Sequence, residues 1–118
     1  MSFFNHHSEA EREQLFAVPV AARPFPIDGT PSKQIYHFYV IVFADTAEAA
    51  TKIATRELRD EKLEFIQCTG KILSTNLAAW NVFVGQNFSW IEADLPTAAA
   101  LADAPRGIVY YTPKIVQL

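Results

Sequence analysis

Hydrophobic positions crowd together most densely at 35–44, IYHFYVIVFA, where ten residues hold one strongly polar side chain. A run this rich in β-branched and aromatic residues predicts a strand. Because it is apolar at both parities, it also predicts burial on both faces. Even positions supply Tyr36, Phe38, Val40, Val42 and Ala44; odd positions supply Ile35, His37, Tyr39, Ile41 and Phe43. The even set ends small, where a following helix must turn over the sheet, so we assign that face to helices and the odd face to the opposite side.

The pattern changes period directly afterwards. Asp45 is placed to cap a helix, with Glu48 in its first turn, and Ala47, Ala50, Ile53, Ala54 and Leu58 recur at helical spacing. Glu48–Lys52 and Arg56–Asp60 stand four apart on the polar side of that helix. Small alanines on its apolar face allow a close approach to a sheet.

Beyond Lys62, LEFIQCTGKILST reads as a strand that Gly70 either bulges or folds into a hairpin. Segments AWNVFVG and FSWIEA read as further extended segments about a turn at Gly85. Pro96 suits the first turn of a short helix, PTAAALAD, that stops near Pro105. The last strand, GIVYYTPKIVQL, contains Pro113, which marks an edge or a bulge.

Residues 1–34 differ in character. Ser8 and Glu11 form a capping-box pattern that predicts a short helix from Glu9 to Ala17. Pro19, Pro24, Pro26 and Pro31 then predict an irregular, extended arm, one with apolar surface to bury in Val18, Val20, Phe25 and Ile27. The expected class is therefore α+β: a ferredoxin-like βαββαβ antiparallel sheet with helices on one face, spanning 35–118 as a single domain, preceded by the short helix and proline-rich arm of 1–34.

This arrangement leaves the odd face of Ile35–Ala44 in need of a cover. Three occupants are open: the proline-rich arm, a second copy of the chain, or a different protein.

Composition narrows the setting. The chain has 118 residues, half of them hydrophobic and 13% aromatic, enough for one globular domain. Its formal charge of −3 argues against the basic footprint of a nucleic-acid binder. Cys68 is the single cysteine and so cannot form an internal disulfide. No stretch reaches the length of a membrane span, and the amino terminus lacks the basic and apolar regions of a secretory signal. The expectation is cytoplasmic.

Candidate chemistry is sparse. His6 and His7 lack ligand spacing, and neither a metal nor a cofactor is expected. His37 has no serine or cysteine at a recognised spacing, Cys68 reads as a buried thiol, and Glu92 and Asp94 would share one face of a strand. Glu57, Asp60, Glu61 and Glu64 give the first helix an acidic end that a basic partner could read. Binding surfaces are better represented, in His37, Tyr39, Phe43, Trp80, Trp90 and Tyr111. The expected function is thus non-catalytic binding of another protein, in the manner of a bacterial immunity or inhibitor protein that neutralises a toxin or enzyme. Two alternatives stand beside it: a small-molecule pocket around His37 and Tyr39, and a structural homodimer packed through the helix-free sheet face.

Overall fold

The computed structural model describes residues 14–117. The element order is β1 (Gln14–Pro24), β2 (Ile35–Phe43), α1 (Ala47–Asp60), β3 (Leu63–Cys68), β4 (Leu73–Asn76), α2 (Trp80–Asn87), a 3₁₀ helix (Ser89–Asp94), α3 (Ala98–Asp103), β5 (Tyr110–Tyr111) and β6 (Ile115–Gln117). The six strands form one antiparallel sheet. β1 and β2 lie at its centre; β3 and β4 both pair with β1 on one side, and β5 and β6 both pair with β2 on the other.

The α+β class stands, but the topology is not ferredoxin-like. In the expected arrangement both helices share one face and residues before Ile35 lie outside the sheet. Here β1 is a central strand, and helices lie on both faces. The arm expected from its prolines is instead a strand buried from Leu15 to Ala22. Pro19 is tolerated there for a geometric reason. Ala44 N–H donates to Gln14 O, so even residues of β1 exchange bonds with β2 while odd ones turn outward. Pro19 therefore points its missing donor at the gap between β3 and β4, where only its carbonyl is needed, to accept from Thr69 N–H at 3.0 Å. Of the expected helix Glu9–Ala17, the part from 14 onward is strand, and the rest lies outside the described residues.

Gly70 makes no hairpin; of the two expected alternatives it is the bulge that forms, an enlarged one, since five steps from Cys68 to Leu73 stand opposite three from Val20 to Ala17. β3 and β4 are two pieces of one edge, both aligned on β1 and separated by the loop that passes Pro19. The opposite edge is split in the same way at Pro113, as a bulge between β5 and β6.

The even face of β1 and β2 packs under α1. Phe16, Val18, Val20, Phe38, Val40 and Val42 meet Ala50, Ala54 and Leu58, as the parity assignment requires. α1 starts one residue later than expected: Thr46, not Asp45, is the cap, its hydroxyl accepting from Ala49 N–H at 3.0 Å. Glu48 and Lys52 pair at 3.6 Å on its exposed side.

The odd face is covered from within the chain by a segment outside all three candidates. Leu15, Ala17 and Ile41 pack against Leu77, Trp80, Phe83, Val84, Phe88, Ile91, Leu95 and Leu101. The segments read as extended, 79–85 and 88–93, fall instead in α2 and the 3₁₀ helix, which meet at Phe88. Trp80, Phe83, Val84, Phe88, Ile91 and Leu95 recur at three- and four-residue steps, and that helical period outweighs their β-type composition. The short helix before Pro105 is present, capped by the Thr97 hydroxyl.

Candidate functional site

The odd-face cover stops short of the sheet's end. Phe88 and Ile91 turn inward, and Phe88 meets the Tyr39 ring edge-on with centroids 5.0 Å apart. Anchoring these two residues leaves Trp90, between them on the 3₁₀ helix, directed outward and 60% exposed. A cavity of about 160 Å³ opens beneath it. His37 and Tyr39 of β2 form its floor, Pro19 and the Thr69–Gly70 turn one wall, and Thr112, Pro113 and Ile115 the other.

Both walls arise from the splits in the sheet edges. On the β5–β6 side, Thr112 repairs the ladder: its N–H donates to Tyr39 O at 3.0 Å, and its hydroxyl accepts from Tyr39 N–H at 2.8 Å. Thr112 is accordingly buried while its neighbours widen into the cavity wall. His37 Nε2 is hydrogen-bonded to Gln117 Oε1, which holds the ring across β2 and β6. Ile115, opposite His37 in register, is 60% exposed.

Three of the six residues singled out in the sequence, His37, Tyr39 and Trp90, thus meet in one place. The other three do not. Trp80 is a core residue whose indole N–H donates to Pro96 O at 2.7 Å. Phe43 lies at the far end of β2, in a cleft of about 370 Å³ beside the start of α1, with the Arg106 guanidinium 4.4 Å above its ring. Tyr111 is on the even face, edge-on to Phe38 at 6.0 Å, with the Lys114 ammonium 5.5 Å from its ring. Burial, together with the carboxylates of Glu61, Glu57 and Asp60, pushes its phenol up to about 12.

Cys68 is exposed at the end of β3, not buried in mid-strand. Glu92 and Asp94 sit in the 3₁₀ helix, so they do not share a strand face. Glu64 leaves the acidic set of α1 to pair with Arg23 at 2.6 Å. Among the described residues no group of three metal-ligating side chains forms; His6 and His7 lie outside them. None of the described helices is long and apolar enough to cross a membrane.

Sequence reasoning missed Pro19 and Thr112 as cavity-forming residues. The signal for Thr112 was its place before Pro113 in an otherwise apolar strand, since a bulge there needs a side chain to satisfy the unpaired backbone.

The class these features define is an α+β protein built on a six-stranded antiparallel sheet, with a small aromatic cavity at the uncovered end of one face. No family model, no curated protein and no solved structure matches the chain.

Proposed function

We propose that this chain acts by binding another protein, without catalysis, through the surface around Trp90 and Ile115. The observation that carries the reading is the exposure of Trp90, 60%, at the mouth of a cavity walled by a second exposed apolar side chain, Ile115. Tryptophan beside a pocket is the residue type most enriched among energetic anchors of protein interfaces. Size supports a macromolecular partner over a small ligand. The cavity, about 160 Å³, holds roughly one side chain, below the ~300–1,000 Å³ of common small-molecule sites. An immunity or inhibitor role, in which the partner is a toxin or enzyme held inactive, is the specific form of this reading.

The test is affinity capture of the full chain from its source cells, alongside Trp90→Ala. A stoichiometric partner should accompany the parent protein and be lost with the variant, whose melting curve should stay within about 0.5 kcal/mol of the parent. Recovery of the chain alone, or of the same partner with both proteins, counts against the proposal.

A further inference from the structure

The cleft beside the start of α1 lies at the end of β2 remote from Trp90, and the described chain begins at its lip. Gln14, the first described residue, is one of its walls. Gln14 O accepts from Ala44 N–H at 3.2 Å, so the chain preceding Gln14 leaves from beside Asp45, where β2 turns up into α1. Phe43, Ala49 and Ile53 make an apolar lining that is only half-buried. At about 370 Å³ the cleft is more than twice the size of the cavity beneath Trp90.

Its charge is biased to the positive. Arg106 is fixed over the Phe43 ring, with its Nη1 donating to Leu101 O at 3.1 Å and to Ala104 O at 2.8 Å. The fourteen-residue α1 also starts here, and a helix carries partial positive charge at that end. Asp45 is the one carboxylate among the lining residues.

Residues 1–13, MSFFNHHSEAERE, carry the complement of each property. Glu9, Glu11 and Glu13 outnumber Arg12, and they stand closest in sequence to Gln14 and hence to the positive part of the cleft. Phe3 and Phe4 supply large apolar rings. Between Phe4 and Gln14 the chain can extend roughly 35 Å, ample to bring a ring back onto the lining.

We propose that this cleft is filled by the chain's own residues 1–13, which seat the Phe3-Phe4 pair against Ile53 and turn the glutamates toward Arg106 and the start of α1. The volume would also admit a small molecule. Such a molecule competes, however, with a segment tethered at the lip, whose effective concentration is roughly millimolar without any further contact. A second copy offers the same segment without that advantage. The docking is independent of the protein-binding reading: it closes one end of the sheet and leaves the Trp90 end as the open one.

Paramagnetic NMR on the full chain tests it. A nitroxide attached through Asn5→Cys, in a Cys68→Ser background, should broaden the amides of Ala49 and Ile53 several-fold more than those of Thr69 and Thr112 at the other cavity. Phe3→Ala with Phe4→Ala should abolish most of that contrast while the amides of β1 and β2 keep their positions. Glu11→Gln with Glu13→Gln should reduce it less and make it less sensitive to salt. Equal broadening at both places overturns the proposal. So does a contrast that survives loss of the two rings, because tethering alone then accounts for it. In a mixture of isotope-labelled chains lacking nitroxide with nitroxide-bearing chains lacking isotope, Ala49 and Ile53 should stay sharp; broadening there gives the cleft to a second copy and overturns the proposal as well.

Discussion

Beneath α1 the sheet meets small residues, Ala50 and Ala54, with Leu58 filling the end, whereas its other face meets Trp80, Phe83 and Phe88. A regular helix with alanines on its inner side lies close along the strands and leaves little space between Ala50, Ala54, Leu58 and the strand residues beneath them. The aromatic cover is built from short, kinked pieces: α2, a 3₁₀ helix broken at Ile91, and α3. Large rings joined by short helices span more sheet per residue, but their edges fit the strands less continuously. The cavity lies where that cover ends, and Trp90 belongs to the cover without being buried by it. Regular packing covers the strands it lies on, so that the cleft of about 370 Å³ beside α1 opens only past the end of β2; irregular packing leaves its cavity over the strands themselves.

The two tryptophans give the sharpest way to break this contrast. Trp80→Ala should cost about 3–5 kcal/mol in urea unfolding, because it empties a core position and removes the bond to Pro96 O. Equal losses at Trp80 and Trp90 would erase the distinction between closed and open parts of the cover. On the other face, Ala54→Leu should cost about 1–3 kcal/mol through overpacking against the strands, read from the same curves. A neutral result there would mean that α1 is not closely seated. At the split edge, Thr112→Val should cost about 1–3 kcal/mol by leaving Tyr39 N–H unpaired, with faster amide exchange at Tyr39.

Smaller effects follow from charge. Tyr111 has its folded-state pKa raised, to about 12, so its contribution is fully present below pH 10 and is lost as pH rises through 12. Tyr111→Phe should lack that alkaline decline when the two proteins are melted side by side at pH 9 to 12. The Arg23–Glu64 pair, 2.6 Å apart but partly exposed, should yield less than about 1 kcal/mol on Glu64→Gln, and less again in high salt.

What the sequence made legible was local. β2, the period and charge of α1, the parity that placed Phe38, Val40 and Val42 beneath it, and the break at Pro113 all follow from side chains acting on their immediate neighbours. Two features depended on distant chain and were misread. Pro19 sits in a central strand only because the β3–β4 split lies beside it, a fact set by residues some fifty positions away. Trp80–Ile91 has the composition of a strand and the spacing of a helix, and the need to cover an existing sheet decides between them. The cavity shows the same division. His37, Tyr39 and Trp90 were recognisable as residue types, but their meeting depends on pairing across the whole chain, which also sends Trp80, Phe43 and Tyr111 elsewhere.

The central position of β1 and β2 has a kinetic consequence. They are neighbours in sequence, joined through a tight reversal in which Asp28 and Gly29 both take positive φ, so the innermost pairing closes the shortest loop. The outer pairing of Tyr39 with Thr112 spans 73 residues, and closing it costs roughly 1.5 kcal/mol more entropy than joining the central pair at Ala22 and Tyr36. The sheet is therefore expected to assemble from its middle outward, with β6 zipping last and fraying first. An edge that frays first is also the one whose backbone is most often open to another strand.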